Sequence, residues 1–581
     1  MKSFFFHFPV GSLVYSCWWV LLLGAAGTSC TPREAEGSQL SLARDTLSSS
    51  SGMVVCAHPL AAEVGSEILR QGGNAIDAAV GVQFALAVVL PWAGNIGGGG
   101  FLLSRQQDGT IHSLDFRESA PSAAHRDMFL DNNRMVIKNM SWYGHKASGV
   151  PGSVQGMYQA HDSLGRLPFA SLIQPAIRLA REGVVLTEKE ATRLNDKLPY
   201  IRAFSTQSNA FTSKIRWQAG DRIFMPDLAH TLSLIRDHGP AGFYEGKTAD
   251  KIVEEMKRGG GLITHQDLHS YRAIWRPTIS GTYRGHKVIS MAPPSSGGVA
   301  LIQLLKSIEA YPMKTYGPLS ADAIHLMVEA ERRVYADRAK HLGDMDFYPV
   351  PISTLLDSTY NADRMEDFDP QQATLSARIQ SGEIPAESEQ TTHFSIVDPE
   401  GNAVALTTTL NGYYGSCVLV GGAGFFLNNE MDDFSAKAGF PNAFGLLGAE
   451  ANAIAPGKRM LSSMTPTILE KDSSLFMVVG SPGGSTIITS VFQTIVNVID
   501  FDMDMQSAVN APRFHHQWLP DVIQHEASTF TPEVQEVLSH FGHRFKQRQD
   551  PIGRVDAILI LPNGRLQGGA DPRGDDVIGQ L

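Results

Sequence analysis

The chain has 581 residues, is 43% hydrophobic and carries a net charge of −11. That length and apolar content supply a large buried core. The charge is spread without a basic cluster or a basic amphipathic run, which excludes a nucleic-acid partner and adhesion to a membrane surface.

At the N-terminus Lys2 is the only early charge, and the apolar stretch Leu13 to Ala26 is short for a bilayer span. It runs into Gly24-Ala25-Ala26-Gly27-Thr28-Ser29-Cys30. The pattern reads as a secretory signal over 1–30, then a polar, Ser-rich flexible tether over 31–50. The expected location is the periplasm or cell envelope. Cys30 stands where a lipid-attachment Cys would, but Gly27 departs from the usual aliphatic residue. Lipidation at Cys30 and ordinary cleavage both stay open. Cys56 and Cys417 read as structural thiols, with a disulfide between them as the alternative. The cysteines show no metal spacing.

Residues 59 to 71 predict a helix stopped by Gly72-Gly73. Asn74 can cap the next helix, 75-AIDAAVGVQFALAVVL. Its single charge, Asp77, and apolar residues on every side predict burial in a layered core. Gly94 to Gly100 reads as a glycine loop, with neither the spacing nor the preceding strand of a dinucleotide fingerprint. From 140 to 345 the pattern is mainly helical, as in 168-PFASLIQPAIRLAREG and 321-ADAIHLMVEAERRVYADRAKHL. A short β segment, 280-SGTYRGHKVISMAPPSSGG, interrupts it.

The text changes abruptly at Gln390-Thr391. Before it lies the polar 368-FDPQQATLSARIQSGEIPAESEQ; after it, the hairpin 391-TTHFSIVDPEGNAVALTTTLN. Asp398-Pro399-Glu400-Gly401 fits a type I turn followed by a left-handed Gly, a three-residue loop with a bulge. That register sets Asp398 against Asn402 and Thr391 against Thr409. With a period of two, Thr409 and Asn411 share one face. A chain that cuts itself before Thr391 would free an α-amine able to activate the Thr391 hydroxyl.

Strands are predicted at 391–398, 403–410, 475-LFMVVGS and 556-DAILILP, with helices at 485–499 and 532–541 between them. Such alternation suits a layered sheet sandwich. In Ser481-Pro482-Gly483-Gly484-Ser485, the N–H groups of paired glycines before a helix can aim at a developing oxyanion.

Seven motifs, 72-GGNAIDAAV, 94-GNIGGGGF, 115-DFRESAP, 391-TTHFSIVD, 428-NNEMDDFS, 461-LSSMTP and 480-GSPGGS, occur in one order. With them the chain resembles the γ-glutamyltranspeptidases, N-terminal-nucleophile hydrolases, from about Val54 to Asp576. The resemblance implies an α+β fold, the four-layer αββα sandwich. It implies self-cleavage between Gln390 and Thr391 into a large part, 51–390, and a small catalytic part, 391–581. It makes Thr391 the nucleophile, Thr409 its orienting partner, and Gly483 and Gly484 the oxyanion donors. It gives Arg117, Ser462 and Ser463 to the carboxylate of a γ-glutamyl group, and Asn411, Glu430 and Asp433 to its ammonium. The implied substrates are glutathione and related γ-glutamyl compounds, with water, amino acids or peptides as acceptors, and with neither metal nor organic cofactor.

Two positions depart from the bacterial pattern: Glu430 stands where some bacterial members have Gln, and Phe444, in the lid-like 436-AKAGFPNAFGLLGAEANAIAPGK, where Tyr is common. Ordinary readings compete at each site: an Arg117 ion pair with Asp115 or Glu118, a helix-capping Asp433, a plain turn at Gly483-Gly484. The histidine pair 515–516, with His540 and His543, reads as surface. A β-lactam side-chain acylase of the same family, recognising a dicarboxylic acyl group, is the alternative enzyme. A non-catalytic envelope binding protein is the alternative outside enzymes.

Overall fold

Alternate residues of one strand feed different cores, and this defines the layers. In Thr392–Val397, Phe394 and Ile396 pack towards helices, while Val397 packs into the space between two sheets. In Ser474–Gly480, Met477 and Val479 face a second set of helices and Val478 faces the inter-sheet space. This computed structural model describes residues 48–49, 51–379, 391–437 and 449–581, all within the unit Thr46–Leu581. Cys30 with the signal, tether residues 31–47 and 50, Gln390 and Phe444 lie outside the described residues, whereas Ser48–Ser49, expected in the flexible tether, pair as a short strand with Leu566 and Gln567.

The first sheet has the strand order Val577–Gln580, Met53–Cys56, Thr392–Val397, Ala403–Thr409, Gly99–Arg105, Ile111–Asp115, Ile274–Arg276. The second runs Ser48–Ser49, Leu566–Gly569, Asp556–Ile560, Ser474–Gly480, Thr467–Lys471, His286–Ser290, Ile279–Tyr283. All pairings in both are antiparallel. Helices Pro59–Arg70 and Ala75–Val89 cover the first sheet, and Gly297–Glu309, Thr486–Ile499 and Met505–Asn510 cover the second. Helix, sheet, sheet, helix is the expected αββα order.

Helix Ala75–Val89 is buried along its whole length, and Asn74 caps it in a reciprocal box with Asp77. The predicted glycine loop is partly a strand, which begins at Gly99. Its glycines permit close backbone approach: a Cβ on Gly98 would lie 2.0 Å from the Thr409 carbonyl, and one on Gly100 would lie 2.3 Å from that of Thr407. The strand is thereby pressed against the arm that carries Thr409. Cys56 and Cys417 are free, buried thiols. Among the described residues no helix is long and apolar enough to cross a membrane.

The surface reading of three histidines is corrected. His515, His516 and His543 are buried, whereas His540 is exposed. Each buried ring has polar partners that its sequence neighbours did not reveal. His515 Nδ1 meets Thr489 Oγ1 at 2.9 Å, and His516 Nε2 lies 3.3 Å from Asp521. His543 Nε2 meets His325 Nδ1 at 2.7 Å. Glu329 joins that last pair in a group of potential metal ligands. Its atoms are already engaged, His325 Nε2 by the Asp369 carbonyl at 2.8 Å and Glu329 by Arg333 at 2.6 Å.

Candidate active site

The hairpin has the register set by its turn. Gly401 takes a φ of 89°, and the Asp398 N–H donates to the Asn402 carbonyl at 3.0 Å. Thr392 pairs with Thr408. One step further out, Thr391 Oγ1 donates to Thr409 Oγ1 at 3.4 Å. Asn411 departs from the expected strand face. The arm ends at Thr409, and Asn411 takes a left-handed φ of 70°. Its N–H turns back to donate to Thr409 Oγ1 at 2.7 Å, and its side-chain amide donates to the Asn429 carbonyl at 3.1 Å. Asn thus tolerates the left-handed turn and ties the hairpin to the acidic segment.

Thr391 opens on a recess with about 510 Å3 of open space. Around it stand Thr409, Asn411, Arg117, Glu430, Asp433, Ser462, Ser463 and Gly484. Thr409 ends a strand of the first sheet, Glu430 and Asp433 lie on a 3-10 turn, and the others stand on connecting segments, with Arg117 and Asp433 more than 300 residues apart in sequence. Gly483 borders a neighbouring recess that Thr391 also lines. Gly483 and Gly484 have φ of 136° and 55°, and helix Thr486–Ile499 starts directly after them.

Arg117 is fully buried and faces the acidic segment. Its Nη1 lies 2.6 Å from Glu430 and 3.5 Å from Glu118, and Nη2 bonds Asp433. Asp115 instead pairs with Arg276 and Arg459 and accepts the Arg117 N–H at 2.9 Å. Three carboxyls therefore crowd one guanidinium. Burial drives the Glu430 and Asp433 carboxyls above their usual range and Glu118 up to about 8, against the pull of Arg117. Glu430 and Asp433 lie on a 3-10 turn, Glu430–Asp433, so the latter does not serve as the cap of an α-helix.

Arg338 and Asn452 are among the recess residues that escaped sequence reasoning. Arg338, on helix Ala321–His341, donates to Ser463 Oγ and Ser296 Oγ, each at 2.9 Å. Asn452 donates to the Asp433 carbonyl at 2.7 Å and accepts the Leu461 N–H at 3.0 Å, joining the acidic and serine segments. The cluster of buried charges on one helix is the signal that could have marked Arg338.

The cephalosporin acylase from Bacillus halodurans has a similar structure, with a TM-score of 0.81 at 27% identity over 95% of this chain and 99% of that one. The Helicobacter pylori gamma-glutamyltranspeptidase structure gives a TM-score of 0.54 at 42% identity, covering 56% of this chain and 94% of that one. Sandwich and neighbours together define an N-terminal-nucleophile hydrolase fold. The family profile described as Gamma-glutamyltranspeptidase matches residues 61–581. The glutathione hydrolase proenzyme of Escherichia coli strain K12 is 45% identical over 532 residues, 90% of this chain and 91% of that protein. The chain belongs to the gamma-glutamyltranspeptidase family.

Proposed function

We propose that this protein is an exported, self-cleaving γ-glutamyl transferase/hydrolase acting on glutathione and related γ-glutamyl compounds. The observation that carries the reading is the meeting of Thr391 with a buried pocket of both charge signs. A γ-glutamyl tail is a zwitterion. Its carboxylate matches the Arg117 fork with Ser462 and Ser463. Its ammonium matches Glu430, Asp433 and the carbonyl of Asn411. Binding exchanges internal ion pairs for two pairs with substrate, so little net charge is buried. The apolar stretch Leu13 to Ala26 supports export.

In maturation the Thr391 hydroxyl attacks the Gln390 carbonyl, the chain shifts to an ester, and water opens it. In turnover the same hydroxyl attacks the γ-amide carbonyl, and the freed α-amine of Thr391 takes the proton. The Gly483 and Gly484 N–H groups steady the oxyanion. The amine product leaves with that proton, and water or an amino acceptor then resolves the acyl-enzyme. Thr409 holds the nucleophile in line through the 3.4 Å contact.

Purified protein is incubated with a chromogenic γ-glutamyl anilide, alone and with a dipeptide. Anilide release, faster with the dipeptide, is expected. A glutaryl anilide separates the acylase reading, because Glu430 and Asp433 repel an acyl tail that lacks the ammonium. Release from the glutaryl substrate alone would replace the proposal with that alternative.

A further inference from the structure

The glycine pair that borders the Thr391 recess has no side chains of its own to hold it. Gly483 and Gly484 both take positive φ, so the directions of their N–H groups depend on what grips the residues around them. The Gly483 carbonyl accepts from Thr486 Oγ1 at 2.8 Å and from the Thr486 N–H at 3.0 Å. The next grip is on Ser485. Its hydroxyl donates to Gln517 Oε1 at 2.8 Å, and its carbonyl accepts from the Tyr335 hydroxyl.

Tyr335 lies on helix Ala321–His341, 150 residues before Ser485. Its ring stands edge-on to His515, with centroids 5.5 Å apart. His515 Nε2 lies 2.9 Å from Gln517 Oε1, a carbonyl oxygen that can only accept, so Nε2 carries the hydrogen. His515 Nδ1 then accepts from Thr489 Oγ1 at 2.9 Å. The imidazole is thereby fixed in one tautomer and packs Tyr335 in place. Tyr335, Ser485, His515 and Gln517 are all buried.

Tyr335 shares a helix face with Glu331, four residues back, and Arg338, three residues on. Glu331 accepts the His516 N–H at 2.7 Å, and Arg338 donates to Ser463 and Ser296. One helix face therefore braces both the serine segment of the pocket and the glycine turn.

Resting on the acyl-enzyme reading above, we propose that Tyr335 is a positioning residue for the oxyanion. Its hydroxyl pins the Ser485 carbonyl, and the pinned turn keeps the Gly483 and Gly484 N–H groups aimed at the charge that develops as Thr391 attacks. Because Tyr335 acts through that turn, its effect falls on the transition state and leaves ground-state binding alone.

Tyr335→Phe removes the hydroxyl and keeps the ring. The processed wild type and variant are compared on a γ-glutamyl anilide and against two competitors. One is free glutamate, which shares the tail of the substrate. The other is the glutamate analogue with a boronic acid in place of the γ-carboxyl. The Thr391 oxygen adds to its boron, the hydroxyl proton goes to the Thr391 α-amine, and the boron becomes a tetrahedral anion that mimics the transition state. The variant is expected to fold and process, with kcat lowered about threefold to tenfold and the boronate inhibition constant raised by the same factor. KM and the glutamate inhibition constant stay at their wild-type values. An unchanged kcat, or equal losses against glutamate and the boronate, overturns the proposal. A variant that fails to fold or to process makes Tyr335 a structural residue and overturns it as well. A wild-type protein that releases no anilide overturns the acyl-enzyme reading itself, and the positioning role with it.

Discussion

Thr391 and Thr409 face each other across the open end of one hairpin, their hydroxyl oxygens 3.4 Å apart. The turn at Asp398 to Asn402 fixes this, six residue pairs away. A loop one residue shorter would send Thr409 to the opposite face of its strand. A local choice of turn residues therefore sets the geometry of a remote pair.

If Thr409 orients the nucleophile, Thr409→Val lowers kcat about threefold to tenfold, the worth of one neutral hydrogen bond. KM for a γ-glutamyl anilide stays near wild type, and Thr409→Ser restores most of the rate. An unchanged kcat in the Val variant would make Thr409 an ordinary strand residue.

Self-cleavage gives a second outcome. The purified protein is expected as two fragments, the smaller beginning Thr-Thr-His. Thr391→Ala is expected as one uncut chain without activity. Gel electrophoresis and N-terminal sequencing decide this, and two fragments from the variant would sink the assignment of Thr391.

Arg117 and Asp433 separate binding from folding. Arg117→Ala removes a charged contact and is expected to raise KM about tenfold to a hundredfold. It also strands Glu118, Glu430 and Asp433 without their shared cation, and losing one partner of a buried pair costs about 3–5 kcal/mol. Its melting temperature is expected to fall clearly, and less so at acid pH, where the carboxyls are neutral. Asp433→Asn can still accept from Arg117, so it weakens the substrate with a small change in melting. Kinetics and thermal melts of the two variants check both halves, and an unchanged KM in either removes that residue from the pocket.

Much of this was legible because it is local. The capped helix from Ala75, the hairpin register and the glycine pair before a helix all depend on residues within a few positions. The recess residues were legible through family motifs, since nothing local brings Arg117 beside Asp433. What stayed hidden depends on distant partners. His515 looked like a surface residue because its hydrogen-bond partner Thr489 lies a helix away. Arg338 reads as one more charge on a helix until Ser463 and Ser296 meet it. Asn411 sits two residues after Thr409, so strict alternation put it on a strand that has already ended. The neighbouring recess assembles residues 92, 193, 413 and 554, which share no motif.

His515 also carries a pH dependence. Burial holds its ring down at about 3, so the folded chain keeps it neutral where the unfolded chain takes up a proton near 6.5. Its contribution is full above pH 6.5 and is lost as pH falls towards 3. Urea unfolding of the uncut Thr391→Ala chain, with and without His515→Gln, isolates it. Between pH 6 and 4 the His515 chain is expected to lose about 1 kcal/mol per pH unit more than its Gln counterpart. Parallel curves would show that the ring is protonated in the fold.

The glycine pair allows the last separation, between a position that needs Gly for folding and one that needs it for chemistry. Gly483 has a φ of 136°, a region that side chains rarely enter, and a Cβ there would lie 2.6 Å from Thr486 Oγ1. Gly484, at 55°, is in the left-handed helical region, where Ala costs about 1–2 kcal/mol. Gly483→Ala is therefore expected to damage folding and yield of the processed enzyme. Gly484→Ala is expected to fold with a modest loss of stability. Gly484 lines the Thr391 recess, so if its N–H serves the proposed oxyanion site, the substitution is expected to disturb that donor. Loss of one such donor lowers kcat about 10²–10³-fold. The measurement is kcat on a γ-glutamyl anilide for the fully processed Gly484→Ala protein, with its melting temperature taken alongside. A folded, processed variant with wild-type kcat would remove Gly484 from the oxyanion site.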